Sequence, residues 1–468
     1  MLNWKDLLNE SRRKSKGQPA APLVESGRYQ FERDYDRILF AAPTRRLADK
    51  TQVFPLDRND SVRTRLTHSH EVSTLARSIG LRLVYEKENI FFGAESGQFL
   101  QRGVPAMLAA IGLVHDLGNP PFGHQGEVAI QNWFKKKSDV FLEKMSPEEA
   151  ADFFAFDGNA QTVRLVTKLQ ILNDKFGLNL TYGTLAALIK YPVPAGGVDE
   201  DRWKKQGYFK SEQEIVSDVW KETGLRQGVR HPLTYVMEAC DDIAYSVLDA
   251  EDTVKKSLAS YYDLLRFLKK ECGDDPVAKR VIEKAEVSSS SFEDAGLSPQ
   301  ELNECSMQMF RVYSITEMVE AVVEEFSKRV GSLLEGEPVY KGIISLSGSA
   351  KLCKALKKFD FEYGFKHKSV LELELKGNTY ITEVMDMLWV GLHGRLEEEK
   401  QQSNTPFGKY AYSRISESYR RIFEDEENDL PVRYKEAQLL ADAISGMTDS
   451  YLIALHSELK PLYDSHCE

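Results

Sequence analysis

The stretch Met107 to Glu127, MLAAIGLVHDLGNPPFGHQGE, leaves the chain few choices. An apolar run of helical character ends in His115–Asp116. Gly118, Asn119, Pro120 and Pro121 follow at once, a combination that no helix interior tolerates well. The His–Asp pair therefore stands at the mouth of a helix and not in its middle. Beyond the break, Phe122-Gly123-His124 leads into a second helix carrying Glu127. Two histidines and two carboxylates crowd around one enforced turn, and a site built there needs partners from other helices.

Two helices offer them. Arg63 to about Glu86 reads as amphipathic, with Val72, Leu75, Ile79 and Leu83 on one face, and it carries His68 and His70. His231-Pro232 opens a long helix to about Lys256, because Pro is favoured at the first helical position. On it, Asp241, Tyr245 and Asp249 share one stripe at i, i+4 and i+8. Asp241 stands among Val236, Met237, Ala239, Cys240, Ile243 and Ala244, where a buried carboxylate requires a partner.

Elsewhere, Arg28–Leu47 has helical spacing broken at Pro43, and Lys50–Arg58 reads as an extended loop. Phe153–Leu172 and Leu180–Lys190 read as helices, and 191–230 as an irregular lobe. Residues 257–335 continue helical with a Ser-rich interruption at Ser288–Ser291. Tyr340–Leu375 has strand character: LELELKGN (Leu371–Asn378) alternates strictly and stops at a Gly-Asn turn. The expectation is a mostly α protein with a small β-containing excursion in its C-terminal third. Residues 1–27 would form a mobile arm, 28–335 a helical catalytic core, and 336–468 an α(+β) region packed on the core and in subunit contacts.

Composition removes some functions. With 468 residues and a net charge of −11, the whole surface cannot be a nucleic-acid footprint. Cations for an anionic substrate must be local. Arg45, Arg46, Lys50, Arg63 and Arg65 cluster just ahead of the first histidines, either as countercharge or as a solvated face. No apolar run approaches a membrane span, and the N-terminus is too charged for a secretory signal. The five cysteines show no CxxC spacing, which argues against a zinc ribbon or a disulfide framework. A cytoplasmic protein without membrane contact is expected.

One imidazole from His68 or His70, a second from His115, and carboxylates from Asp116 and from Asp241 or Asp242 would suit Mn, Fe, Ni, Zn or Mg. The bland reading is a helix-capping His and a solvated Asp pair. Spacing alone leaves both standing.

The motifs RRLADKTQVFP, RTRLTHSHEV, HDLGNPPFGHQGE, FDGNAQTVRLV, LTYGTLAALIKYP and MEACDDIAYSVLDAED, in that order, resemble those of bacterial dGTP triphosphohydrolases. These belong to the HD-domain metal-dependent phosphohydrolases and are similar to the SAM-and-HD-domain dNTPases of animals. The resemblance spans about residues 28–256 and implies an HD-domain helical core. It selects His68, His115, Asp116 and Asp241 as ligands of one divalent ion per site, Mn or Mg, with Ni, Fe, Zn or Co as further options. It makes His124 and Glu127 the pair that activates or positions the attacking water. It assigns substrate contacts to Gln52, Val53, Arg65, Asn159, Lys205 (or Lys204), Tyr208, Tyr245 and Asp249. It further implies a dNTP substrate, a homo-oligomer such as a hexamer, and single-stranded DNA or a second, allosteric dNTP as further partners.

The chemistry is coherent. A nucleoside triphosphate is held and activated chiefly by positioning and charge neutralisation. Water attack at the α-phosphorus would release triphosphate and leave a deoxynucleoside, with His124 delivering or taking the proton. Tyr245 beneath the sugar would exclude a 2′-hydroxyl, and Gln52 and Asp249 would bond the 3′-hydroxyl. Base choice is not legible. Two alternatives compete: an HD-type phosphodiesterase or nucleotidase, and a non-catalytic nucleotide or single-stranded-DNA regulator.

Overall fold

Leu, Ala, Glu and Lys favour the helix, and the computed structural model is built almost wholly from helices. It describes residues 1–16, 27–54, 61–93, 97–170, 174–199, 202–337, 339–397 and 403–467. The helices that build or support the site are α1 (Trp4–Leu7), α2 (Gln30–Leu39), α3 (Arg65–Glu86), α4 (Gln98–Val114), α5 (Gly123–Lys136), α6 (Gly158–Arg164), α7 (Pro232–Lys255), α8 (Lys368–Leu392), α9 (Val432–Ser445) and α10 (Asp449–Cys467).

Helices α3 and α4 pack along their lengths and α7 crosses both. The closest approach is at Gly112, where a Cβ would sit 2.8 Å from Ser73 Cα. Only glycine allows that contact, and Ser73 Oγ donates to the Ala109 carbonyl across it at 2.8 Å. Val72, Ile79 and Leu83 of α3 and Leu108, Ile111 and Val114 of α4 are fully buried. Each such side chain contributes about 1.5–3 kcal/mol of burial. The expected starts hold well: Thr64 caps α3, and His231 caps α7 by accepting from Leu233 N at 3.1 Å.

Three expectations change. Among the described residues the only β pairing is two isolated bridges, Arg12 with Thr181 and Thr51 with Thr64, so there is no β excursion. LELELKGN lies inside α8. Leu, Glu and Lys are strong helix formers, and a Glu372–Lys376 pair at i, i+4 bridges 2.7 Å. Gly377 makes no turn: it lets α8 approach Phe122, whose Cγ would lie 2.6 Å from an added Cβ. Ser288–Ser291 does not interrupt the helix Pro276–Asp294. Ser288 Oγ and Tyr313 OH lie 2.8 Å apart, and Ser306 Oγ donates to Ser289 Oγ at 3.0 Å, so small hydroxyls join two packed helices.

Residues 1–16 are docked and do not form a free arm. Trp4 and Leu7 are fully buried, and Arg12 pairs with Asp34 at 2.7 Å. The remainder of the expected arm, 17–26, and part of the expected loop, 55–58, lie outside the described residues. Helix α8 packs on α5, and buried side chains of α8 and α9 continue the core formed by α3, α4 and α7.

Candidate active site

Helix α4 ends at His115. Its Nδ1 lies 2.7 Å from the Gly112 carbonyl, so the ring donates there and turns Nε2 inward. That nitrogen is buried and has no hydrogen-bond partner. His68, buried on α3, approaches from one side, and Asp241 on α7 from another. Asp241 Oδ1 lies 3.3 Å from His68 Nε2 and 3.5 Å from His115 Nε2. Asp116 Oδ1 is 3.6 Å from His115 Nε2. Ligand atoms of His68, His115 and Asp116 lie within 4.8 Å of one another. An orphaned buried imidazole nitrogen facing carboxylates, with a second imidazole beside it, is a donor set that fits one divalent ion of intermediate softness.

The carboxylates are held ionised. Burial opposes ionisation of Asp116, but His115 and Arg65 keep its pKa below the usual range, with Arg65 Nη1 2.5 Å from Oδ2. Asn119 Nδ2 donates to Oδ1 at 2.6 Å. Burial also opposes ionisation of Asp241, and Lys190 and His115 hold it well below the ordinary value. Lys190 Nζ reaches Asp241 Oδ2 at 3.3 Å.

A second cluster forms one helix away. His124 Nδ1 meets Glu127 Oε2 at 2.7 Å, one turn along α5. Glu127 is buried, and its Oε1 accepts from Gly158 N at the start of α6 at 2.8 Å. Burial would raise the Glu127 pKa, but the bond to His124 and the Lys205 charge hold it low. Lys205 Nζ lies 3.3 Å from Glu127 and 2.8 Å from Asp157. Asp157 in turn accepts from Asn159 Nδ2 at 2.7 Å. The His124 side chain is 76% exposed, so one face of the ring is open.

Both clusters line a single cleft of ≈ 590 Å³. Gln52, Val53, Arg65, Asn159, Lys205 and Tyr245 line it with His115, Asp116, His124, Glu127 and Asp241. His68 stands behind this wall. Asp249, one helical turn beyond Tyr245, does not line the cleft and is buried, both carboxylate oxygens lacking a hydrogen-bond partner. Burial, then Asp252, pushes its pKa well above the usual range. Tyr208 is not in the cleft: it is buried, its ring 5.8 Å from that of Trp220. Lys204 is exposed on the surface, which leaves Lys205 as the lysine facing the site.

The expected cationic cluster does not act as one. Arg63 is tied to Glu71, Glu251 and Asp252. Arg45 and Arg46 donate to backbone carbonyls, and Lys50 donates to the carbonyls of Asn119 and Ser445. Only Arg65 of the five faces the cleft, and Lys190, Lys205 and Lys366 supply the remaining positive charge. Lys190, Tyr191, Phe365, Lys366 and Glu374 are lining residues that the sequence did not single out. Lys190 and Tyr191 close a recognised motif, which was a usable signal. Phe365, Lys366 and Glu374 lie where a strand was expected, and nothing local marks them.

An HD domain family model matches residues 65–173, which include His68, His115, Asp116, His124 and Glu127. A phosphohydrolase-associated domain model matches residues 347–458, the part that supplies Phe365, Lys366 and Glu374. The chain is similar to the deoxyguanosinetriphosphate triphosphohydrolase-like protein of Listeria monocytogenes, at 33% identity over 98% of this chain and 100% of that one. A like-named protein of Pseudomonas aeruginosa is 31% identical over 98% of each chain. The deoxyguanosinetriphosphate triphosphohydrolase of Yersinia enterocolitica is 30% identical over 90% of this chain and 92% of its own. Among the described residues, no helix is long and apolar enough to cross a membrane.

Proposed function

This chain belongs to the deoxyguanosinetriphosphate triphosphohydrolase family of HD-domain phosphohydrolases, and from that premise we propose that it hydrolyses dGTP to deoxyguanosine and inorganic triphosphate. The observation that carries the reading is one cleft holding both a cation donor set and a carboxylate-anchored histidine. His68, His115, Asp116 and Asp241 would hold one divalent ion, Mn or Mg, which would supply Lewis acidity towards the phosphate and lower the pKa of the attacking water.

The chain's own groups do the rest. Water oxygen bonds to the α-phosphorus, the bond to the sugar 5′-oxygen breaks, and that oxygen takes a proton. Glu127 accepts from His124 Nδ1, fixes the tautomer and leaves Nε2 free to move that proton. Arg65, Lys190 and Lys205 neutralise the triphosphate with little reorganisation, since each is already held by a carboxylate: Asp116, Asp241 and Glu127.

Sugar and base are read by the other wall. The buried Gln52 Oε1 and both Asp249 oxygens lack partners, which supports a sugar hydroxyl as their donor. Tyr245, 5.9 Å from the Phe365 ring, closes the space beneath a deoxyribose. Val53, Phe365 and Val370 give the cleft an apolar lining for a base, and Glu374, one turn beyond Val370 on α8, lines the same cleft. A carboxylate there accepts from adjacent N–H donors, and guanine presents two of them on one edge.

Incubation with dGTP and Mn²⁺ or Mg²⁺, followed by identification of the phosphorus product, tests the reading. Triphosphate is expected. Orthophosphate would point to a nucleotidase, and binding of dNTPs or single-stranded DNA without turnover to a regulator.

A further inference from the structure

The corner between α9 and α10 reaches the active site from behind. Asp449, the first residue of α10, is buried, and its two carboxylate oxygens serve two separate strands of chain. Oδ1 accepts from Phe122 N at 3.1 Å. Oδ2 accepts from Thr51 N at 3.0 Å and from Thr51 Oγ1. Thr51 is the residue before Gln52, and Phe122 stands two before His124. Lys50, also buried, spans the same gap: Nζ donates to Asn119 O at 2.6 Å and to Ser445 O at 2.7 Å.

Phe122 needs such support. It is a non-glycine residue with φ +58°, in the left-handed region that most side chains avoid. Its amide is held by Asp449 from one side, and its ring is covered by Gly377 of α8 from the other. Both restraints come from the C-terminal region, far outside the segment that carries the chemistry.

We propose that Asp449 is a positioning residue that locks the sugar-reading loop at Gln52 to the turn that launches His124, so that the two halves of the cleft keep one spacing. The assignment rests on the triphosphohydrolase reading for its kinetic consequences. A carboxylate is required because both oxygens must accept. An amide has one acceptor, and its NH₂ would face an N–H donor.

Asp449→Asn tests this with dGTP and Mn²⁺. Release of His124 lowers kcat about 10- to 100-fold, since misplacement by an ångström costs that order. Release of the Gln52 loop raises KM and narrows the preference for dGTP over its 2′,3′-dideoxy analogue, which lacks the hydroxyl that Gln52 would bond. Mn²⁺ affinity stays within a few-fold of the wild-type value, because Asp116, at the far end of the same turn, is held by Arg65 and Asn119 and not by Asp449. Thr51→Val cuts only one hydroxyl donor, so KM rises a few-fold at wild-type kcat. An Asp449→Asn protein with lower Tm but unchanged kcat and KM overturns the proposal. If that variant does not fold, unchanged KM and sugar preference in Thr51→Val overturn it. If the wild type yields no triphosphate from any dNTP, the functional reading fails separately. Amide exchange at Thr51 and Phe122 then decides: faster exchange in Asp449→Asn upholds the lock, and unchanged exchange removes it.

Discussion

The His115–Asp116 corner and the His124 corner share a cleft but are built in opposite ways. His68 is 1% exposed, and the His115 and Asp116 side chains are 6% and 15% exposed. His115 is fixed by a backbone carbonyl, and Asp116 by Arg65 and Asn119. His124 has a 76% exposed side chain and one anchoring contact, to Glu127. The anchor is rigid, since Glu127 is itself bonded to Gly158 N, but the ring is not enclosed. The donor set is thus fixed by protein alone, while the surroundings of the His124 ring are completed by whatever enters the cleft.

Breaking the buried corner has the largest expected effect. His115→Ala removes the orphaned Nε2 and leaves Asp116 and Asp241 facing each other, so Mn²⁺ binding measured by calorimetry and turnover are both lost. Breaking the exposed corner separates the two quantities. His124→Ala keeps Mn²⁺ affinity and lowers kcat by ~10²- to 10⁴-fold, the usual value of a positioned acid–base group. If Mn²⁺ affinity falls as far as kcat, the two corners are one unit and the contrast is wrong. Glu127→Gln leaves the imidazole in place but removes its charged anchor. A reduction of ~10- to 100-fold in kcat, with the pH profile displaced, is the expected result.

A third histidine sharpens the contrast from outside the cleft. His231 is buried more completely than His115, and its Nε2 meets the Leu7 carbonyl at 3.1 Å. Burial pushes its pKa down to about 4, whereas Asp116 and Asp241, acting against burial, hold His115 above the ordinary value. The unfolded chain therefore binds a proton at His231 before the folded one does. Stability from this group is complete above ~pH 6.5 and is lost as pH falls towards about 4, amounting to about 2 kcal/mol by pH 5. His231→Asn, which keeps a capping oxygen, should show a flatter decline of Tm with acid than the wild type. The smallest effect is expected at Glu374, the residue proposed to read the base. Glu374→Gln should change total dGTP turnover by about threefold while narrowing its lead over dATP, because one acceptor remains.

What the sequence revealed follows from how locally each feature is specified. The His115–Asp116 break and the His231-Pro232 start are enforced by prolines within a few residues, and both stand where expected. The apolar surroundings of Asp241 called for a partner, but spacing left Asp242 as an alternative, and only the family resemblance chose between them. Features depending on distant partners were not legible. Arg63 resembles Arg65 in composition, but its guanidinium is consumed by Glu251 and Asp252, nearly two hundred residues away in sequence. The Leu–Glu alternation at 371–375 satisfies a strand rule and a helix rule together, and packing of Gly377 on Phe122 accompanies the helix. The cleft wall at Phe365 and Glu374 was hidden by that ambiguity.

The docked N-terminal segment has a practical consequence. Trp4 Nε1 donates to the Ile90 carbonyl at 2.5 Å, Leu2 N to Leu334 O at 2.6 Å, and Leu7 O receives His231. Met1 is 97% exposed, so an affinity tag added ahead of it has room. Trimming the first eight residues is another matter: it would uncork the base of the helix that carries Asp241 and Tyr245, letting solvent in at the His231 end of that helix.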